Sequence, residues 1–314
     1  MDLVLGTFQA VATLLVVGVI GFWVISRRTL AVDVLRFLSP LALEIGFPCL
    51  VFAKIVRQFS PEEYPFWWSL PLIWAAFTLI ALALSWVWGW ASERGVRREF
   101  RLALFYQNAT FFPLVILTEL YGPDSPFLIN LFFFTIPFAP FVFTSYRFFF
   151  GVRLNREGMA KLIHPVTAAV IIALVSKLTG AHALIPEFVL RALEFVGNMT
   201  VPLLMLILGG NIYVDFKNRG RIRLVETAKF VLVKNFIFPL IALGVLAVIR
   251  PAYPIAVLLI LQAAAPPITS VPVLVERERG DRAVVSQLLV GSFLASAVSI
   301  PLMFWIFSRI MPGG

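Results

Sequence analysis

Residues 262–272 read Gln262-Ala263-Ala264-Ala265-Pro266-Pro267-Ile268-Thr269-Ser270-Val271-Pro272. They lie inside an apolar run at about 254–275, long enough to cross a hydrocarbon core roughly 30 Å thick. A proline inside a helix removes one hydrogen bond and clashes with the preceding turn. Three prolines in seven residues therefore exclude a regular helix here. In lipid the freed backbone groups need other partners, so such a break is tolerated only beside protein or a wet cavity. Thr269 and Ser270 are of the types that cap a new helix, which would start near Pro272. A second stretch at matching depth, Tyr106-Gln107-Asn108-Ala109-Thr110-Phe111-Phe112-Pro113, reads the same way. Asn108 or Thr110 can cap a half-helix running through Pro113.

The surroundings of these breaks set the class of protein. Of 314 residues, 60% are hydrophobic and only 14% charged, against roughly 25% charged in an ordinary soluble domain. Mean hydropathy is +0.93. That excludes an ordinary cytosolic enzyme, a disordered chain and a secreted disulfide scaffold; Cys49, the one cysteine, cannot form an intrachain disulfide. Ten spans are predicted, at about 3–25, 34–53, 66–90, 102–121, 127–150, 162–178, 188–209, 227–249, 254–275 and 284–307. The first is read as a span and not as a cleavable signal peptide, because Arg27 and Arg28 follow it instead of preceding it. The clusters Trp67, Trp68 and Trp86, Trp88, Trp90 mark the two ends of the third span as an interfacial belt. The runs Phe132-Phe133-Phe134 and Phe148-Phe149-Phe150 are expected to face lipid.

The basic residues test the count. Alternate loops and their flanks hold Arg27, Arg28, Arg36; Arg94, Arg97, Arg98, Arg101; Arg147, Arg153, Arg156, Lys161; Lys217, Arg219, Arg221, Arg223, Lys229, Lys234; and Arg277, Arg279, Arg282. Those are 20 of the 26 basic residues. Only Lys54, Arg57, Lys177, Arg191, Arg250 and Arg309 fall elsewhere. By the positive-inside rule the basic loops are cytoplasmic, both termini lie outside, and the protein belongs in the inner (cytoplasmic) membrane. The net charge of +9 thus reports topology and gives no support to a nucleic-acid partner.

The order of features repeats. Ala42-Leu-Glu44-Ile-Gly-Phe-Pro48 in span two matches Ala192-Leu-Glu-Phe-Val-Gly-Asn198-Met-Thr-Val-Pro202 in span seven. Pro113 and Glu119 of span four stand 159 residues before Pro272 and Glu278 of span nine. Residues 1–150 and 157–314 therefore read as two halves of five spans. Five is odd, so the second half enters the membrane from the opposite side, an inverted repeat of the kind secondary transporters use. The predicted fold is an all-α polytopic membrane protein of ten helices, two inverted five-helix repeats, with broken crossing helices four and nine. Half-helices that start at the midplane carry free N–H groups and roughly half a positive charge each, which suits an anion.

Gln107-Asn108-Ala-Thr-Phe-Phe-Pro113 followed by Leu120-Tyr121-Gly122 resembles the first crossover helix of the auxin efflux carrier family. Gln262-Ala-Ala-Ala-Pro266 with Val271-Pro272 resembles its partner crossover, and Pro202–Gly209 and Lys234 with Pro239 also look like family features. The resemblance covers nearly the whole chain. It implies the ten-helix fold shared with bile acid:sodium symporters. In that fold spans one, two, six and seven (about 1–55 and 162–210) form a scaffold. Spans three to five and eight to ten (about 66–150 and 227–309) form a transport domain that moves as an elevator. It implies secondary transport of small organic anions, malonate-like or auxin-like carboxylates, and a homodimer through the scaffold. The connection at 147–164 is short, unlike the long loop of plant members, which points to a bacterial type. Asn108 matches the family's crossover asparagine, whereas Pro266 and Pro267 stand where the second would be.

The candidate substrate-binding residues are accordingly Asn108, Thr110, Pro113, Gln262, Pro266, Pro267, Thr269 and Ser270. Candidates for coupling are Glu44, Asn198, Gln287 and Ser292, with Na+ or H+ as the ion and no other cofactor. Gln262, Ser296 and Ser299 could also line a cation site, or serve helix packing alone. Glu44 reads either as a coupling carboxylate or as a side chain satisfied by a broken-helix carbonyl or a wet vestibule, because a charge at mid-membrane costs ~2.5–3.5 kcal/mol. Lys234 either contacts an anion or snorkels to the surface. Glu119 and Glu278 are expected to reach solvent. The sequons Asn108-Ala-Thr110 and Asn198-Met-Thr200 are buried in spans and are not read as glycosylation sites. His164 and His182 are too far apart in the chain to suggest a metal site. No P-loop, H-E-x-x-H or G-x-S-x-G occurs, so neither ATP drive nor intramembrane proteolysis is indicated. Two readings stand beside the anion carrier: a sodium-coupled symporter of larger amphipathic anions, and a membrane receptor that binds an anion without moving it.

Overall fold

The computed structural model describes residues 3–151, 164–217 and 223–311. Arg153, Arg156, Lys161, Arg219 and Arg221 of the basic loops lie outside the described residues, as do positions 152–156 of the expected boundary between the halves. The described chain is helical, with one isolated antiparallel bridge, Gln107 opposite Pro267. Its helices are α1 (Leu3–Ser26), α2 (Val34–Gln58), α3 (Trp67–Ala91), α4 (Arg97–Phe105), α5 (Phe111–Tyr121) and α6 (Pro126–Phe150). They continue with α7 (Pro165–Leu178), α8 (Glu187–Val214), α9 (Leu224–Ile249), α10 (Tyr253–Ala264), α11 (Val271–Arg277) and α12 (Arg282–Ile310). Seven of these, α1, α2, α3, α6, α8, α9 and α12, are long and apolar enough to cross a membrane. Spans four and nine are each divided, into α4 and α5 and into α10 and α11. Span six is the short α7.

The prolines explain the irregular helices. Both π-helical turns, Leu41–Gly46 in α2 and Leu232–Ile237 in α9, end two residues before a proline, Pro48 and Pro239. Each proline lacks an N–H and its ring collides with the carbonyl four residues back, Glu44 and Asn235 respectively. Widening the preceding turn relieves that clash. α6 likewise breaks into a turn at 135–137, beside Pro137.

Two groups of helices pack closely. α1 lies along the C-terminal half of α8, and α2 packs against α7 and the start of α8. Small residues allow this: a Cβ on Gly209 would run into the Gly18 carbonyl, and one on Gly197 into the Leu50 backbone. In the second group α9 packs on α10 and α12, and α4 on α3 and α12. α1 also reaches across to α5 and α12.

Two expectations fail here. Phe132, Phe133 and Phe134 are buried in protein, because α6 is hemmed in by α2, α3, α5 and α10. Phe133 packs edge-on against Phe59, ring centroids 4.8 Å apart, and beside Trp67 at 5.4 Å. Phe148 is exposed as expected, while Phe149 packs on Phe105 and Tyr106. Lys234 does not snorkel: its residue is only 2% exposed, held inside by the wide turn that carries it.

Candidate functional site

The two breaks meet. The Asn108 N–H donates to the Pro266 carbonyl at 2.7 Å, and the Ile268 N–H to the Tyr106 carbonyl at 2.9 Å. Two extended segments, one from each half of the chain, thus satisfy each other's backbone where helix bonds are missing. Asn108 caps α5: its Oδ1 accepts from the N–H groups of Phe111 (3.2 Å) and Phe112 (3.4 Å). Thr110 precedes α5 without a side-chain capping bond. Gln262, fully buried, donates through Nε2 to the Ala109 carbonyl at 2.6 Å. Its Oε1 has no hydrogen-bond partner among the described residues. Ser270 stands before α11, but its hydroxyl makes no cap and is buried without a partner. Pro113, Pro266 and Pro267 are buried, and Thr269 is half-buried. α11 is only seven residues long, so the two half-helices contribute unequally.

The other candidates divide. Ser292 and Ser299 belong to a buried network with Asn235, a residue the sequence reading passed over. Asn235 Nδ2 donates to the Ser292 carbonyl (2.9 Å) and to Ser299 Oγ (3.3 Å), and Ser292 Oγ donates to Asn235 Oδ1 (2.7 Å). Ser296 donates to the Phe293 carbonyl within its own helix. Gln287 is away from that network, its Oε1 accepting from the Arg223 N–H at 2.8 Å. Glu44 is exposed, in the π turn of α2, with His164 near enough to feel its charge. Asn198 is exposed and lines a cavity. Glu119 is exposed, but Glu278 is largely buried, in an ion pair with Arg147 at 3.0 Å.

That cavity, of about 290 Å³, lies where the two helix groups meet. One wall is α1, α2 and α8, with Thr13, Lys54 and Asn198; the other is α5 and the start of α6, with Thr118, Glu119 and Phe132. Lys54, itself buried, pairs with the exposed Asp124 at 2.7 Å, and Gln58 donates to the same carboxylate oxygen at 2.7 Å. So a cation from the first wall is tied to the α5–α6 turn of the second. Lys54 was missed as a site residue because its partner lies 70 residues away. A second cavity, of about 320 Å³, lies between α3 and α9.

The described residues hold a discontinuous crossover whose two segments bond to each other, seven helices able to span a bilayer, and a polar-edged cavity between helices. The family model for membrane transport proteins matches residues 7–157 and 152–305. No curated protein matches the chain. Matched along almost its whole length, this integral, multi-pass membrane protein belongs to the auxin efflux carrier family, a family of transporters and not of enzymes.

Proposed function

We propose that this protein is a secondary transporter of small organic anions, carboxylates of the malonate-like or auxin-like size, working by elevator-type alternating access. The observation that carries the reading is the position of the 290 Å³ cavity: it has one wall from α1, α2 and α8 and the other from α5 and α6. A substrate held there sits on the boundary that one group must cross relative to the other. In this reading α1, α2, α7 and α8 are the scaffold, and α3 to α6 with α9 to α12 are the moving body. Lys54 supplies a cation that an incoming carboxylate can share or take over from Asp124. α5, whose N-terminus Asn108 caps at the crossover, lends this cavity Leu114, Val115, Thr118 and Glu119. The cavity runs toward the C-terminal ends of α2 and α5, away from the loops that hold most of the basic residues, so by the positive-inside rule it faces outward in this reading.

The test is flux. Purified protein in liposomes should take up a labelled carboxylate from a panel of mono- and dicarboxylates, and Lys54→Met should cut that uptake at least tenfold. A panel with neither binding nor flux would sink the proposal. The same assay reads the coupling ion: replacing sodium with choline separates Na+ coupling from H+ coupling.

A further inference from the structure

The second cavity has a chemistry of its own. Its walls are apolar side chains of α3 (Ile73, Phe77, Ile80, Leu84) and α9 (Phe238, Ile241, Val245), most of them facing a gap between two lipid-exposed helices. At its deep end, beside the crossover, lie Lys234 and Gln107; at its other end lie Ile249 and Pro251 of the α9–α10 turn. Lys234 is 2% exposed and Gln107 4%. Among the described residues the Lys234 ammonium makes no hydrogen bond or ion pair; it lies over the ring of Phe238, 5.3 Å from its centroid. The Gln107 side chain makes no hydrogen bond to another described residue; only its backbone is engaged, opposite Pro267. A buried cation without a counter-anion is costly, and an anion delivered to it is correspondingly favoured.

We propose that this cavity is a binding site, entered from the bilayer, for a monocarboxylate with an apolar tail. The carboxylate meets the Lys234 ammonium and accepts from the Gln107 amide, and the tail lies between α3 and α9. The size selects against a diacyl lipid, since about 320 Å³ is at the small end of ligand sites (about 300–1,000 Å³). The walls select against a dicarboxylate, because no second cation or donor lines the apolar length. This site shares no residue with the cavity of the proposed transport path, which is lined by Lys54, Thr118, Glu119 and Asn198.

The experiment uses the full-length protein in nanodiscs of zwitterionic lipid, with decanoate, decanol and succinate as probes. Decanoate should raise the melting temperature and bind saturably; decanol should not. Lys234→Met should weaken decanoate binding at least tenfold. Ala76→Trp, at an exposed position on the α3 wall, should block the cavity and do the same without touching the lysine. Lys234→Met should weaken decanoate binding to the same degree in a Lys54→Met background, which separates this site from the transport cavity. Equal binding of decanoate to wild type and to both Lys234→Met and Ala76→Trp would overturn the proposal. So would loss only in Lys54→Met, or an equal response to decanol.

Discussion

Asn108 holds two parts of the crossover at once: its side chain caps α5 and its backbone N–H bonds to Pro266. Replacing it with alanine removes the cap, a loss of about 1 kcal/mol, and leaves the backbone bond in place. Asn108→Ala should therefore express and insert normally while carboxylate transport in liposomes falls at least tenfold; wild-type flux would remove Asn108 from the site. Glu44 is tested differently. Glu44→Gln should alter the pH profile of transport, and an unaltered profile makes Glu44 structural. At this scale the sequence was informative wherever the partner is local. Asn108 as a cap follows from its distance to Phe111 and Phe112 alone. Lys54 and Asn235 were not legible, because what defines them is an Asp124 and a Ser292 brought together only by folding.

Among elements, proline was the most readable signal, since its missing N–H acts within one turn whatever the tertiary context. It located both divided spans, and the same chemistry accounts for the two π turns, which carry the mid-span charges Glu44 and Lys234. The Phe132–Phe134 run was misread for a physical reason: lipid tails and protein interiors are equally apolar, so composition cannot separate them. Close helix approach is equally hidden until the backbones are placed. Gly209→Val should force α1 and α8 apart, costing about 1–3 kcal/mol, seen as a lowered melting temperature and loss of a monodisperse peak. Gly244→Ala is the control: its Cβ would meet nothing within 4 Å, and a helix interior gains from it.

For the molecule as a whole, charge asymmetry and apolar run length were enough to read a polytopic membrane protein, because both act on every loop and span. The cavity between the helix groups could not be read, since its walls come from five helices distant in the chain. The Gln58–Asp124 contact gives the proposed motion a direct check that leaves Lys54 in place. In a Cys49→Ser background, Gln58→Cys with Asp124→Cys should stop transport when oxidised and recover with reductant. Undiminished flux in the cross-linked protein would exclude relative movement of the α2 and α5–α6 groups.

The bonds from Asn108 to Pro266 and from Ile268 to Tyr106 also bear on how the protein is made. During synthesis the first half enters the bilayer with the Tyr106 carbonyl and Asn108 N–H lacking partners that are still some 160 residues from emerging. Such groups are expensive in hydrocarbon. The early half must then wait, with water or a membrane chaperone standing in, until the second broken span arrives. Residues 1–151 expressed alone should be degraded quickly, and co-expression with 164–314 should restore them, as followed by pulse-chase labelling.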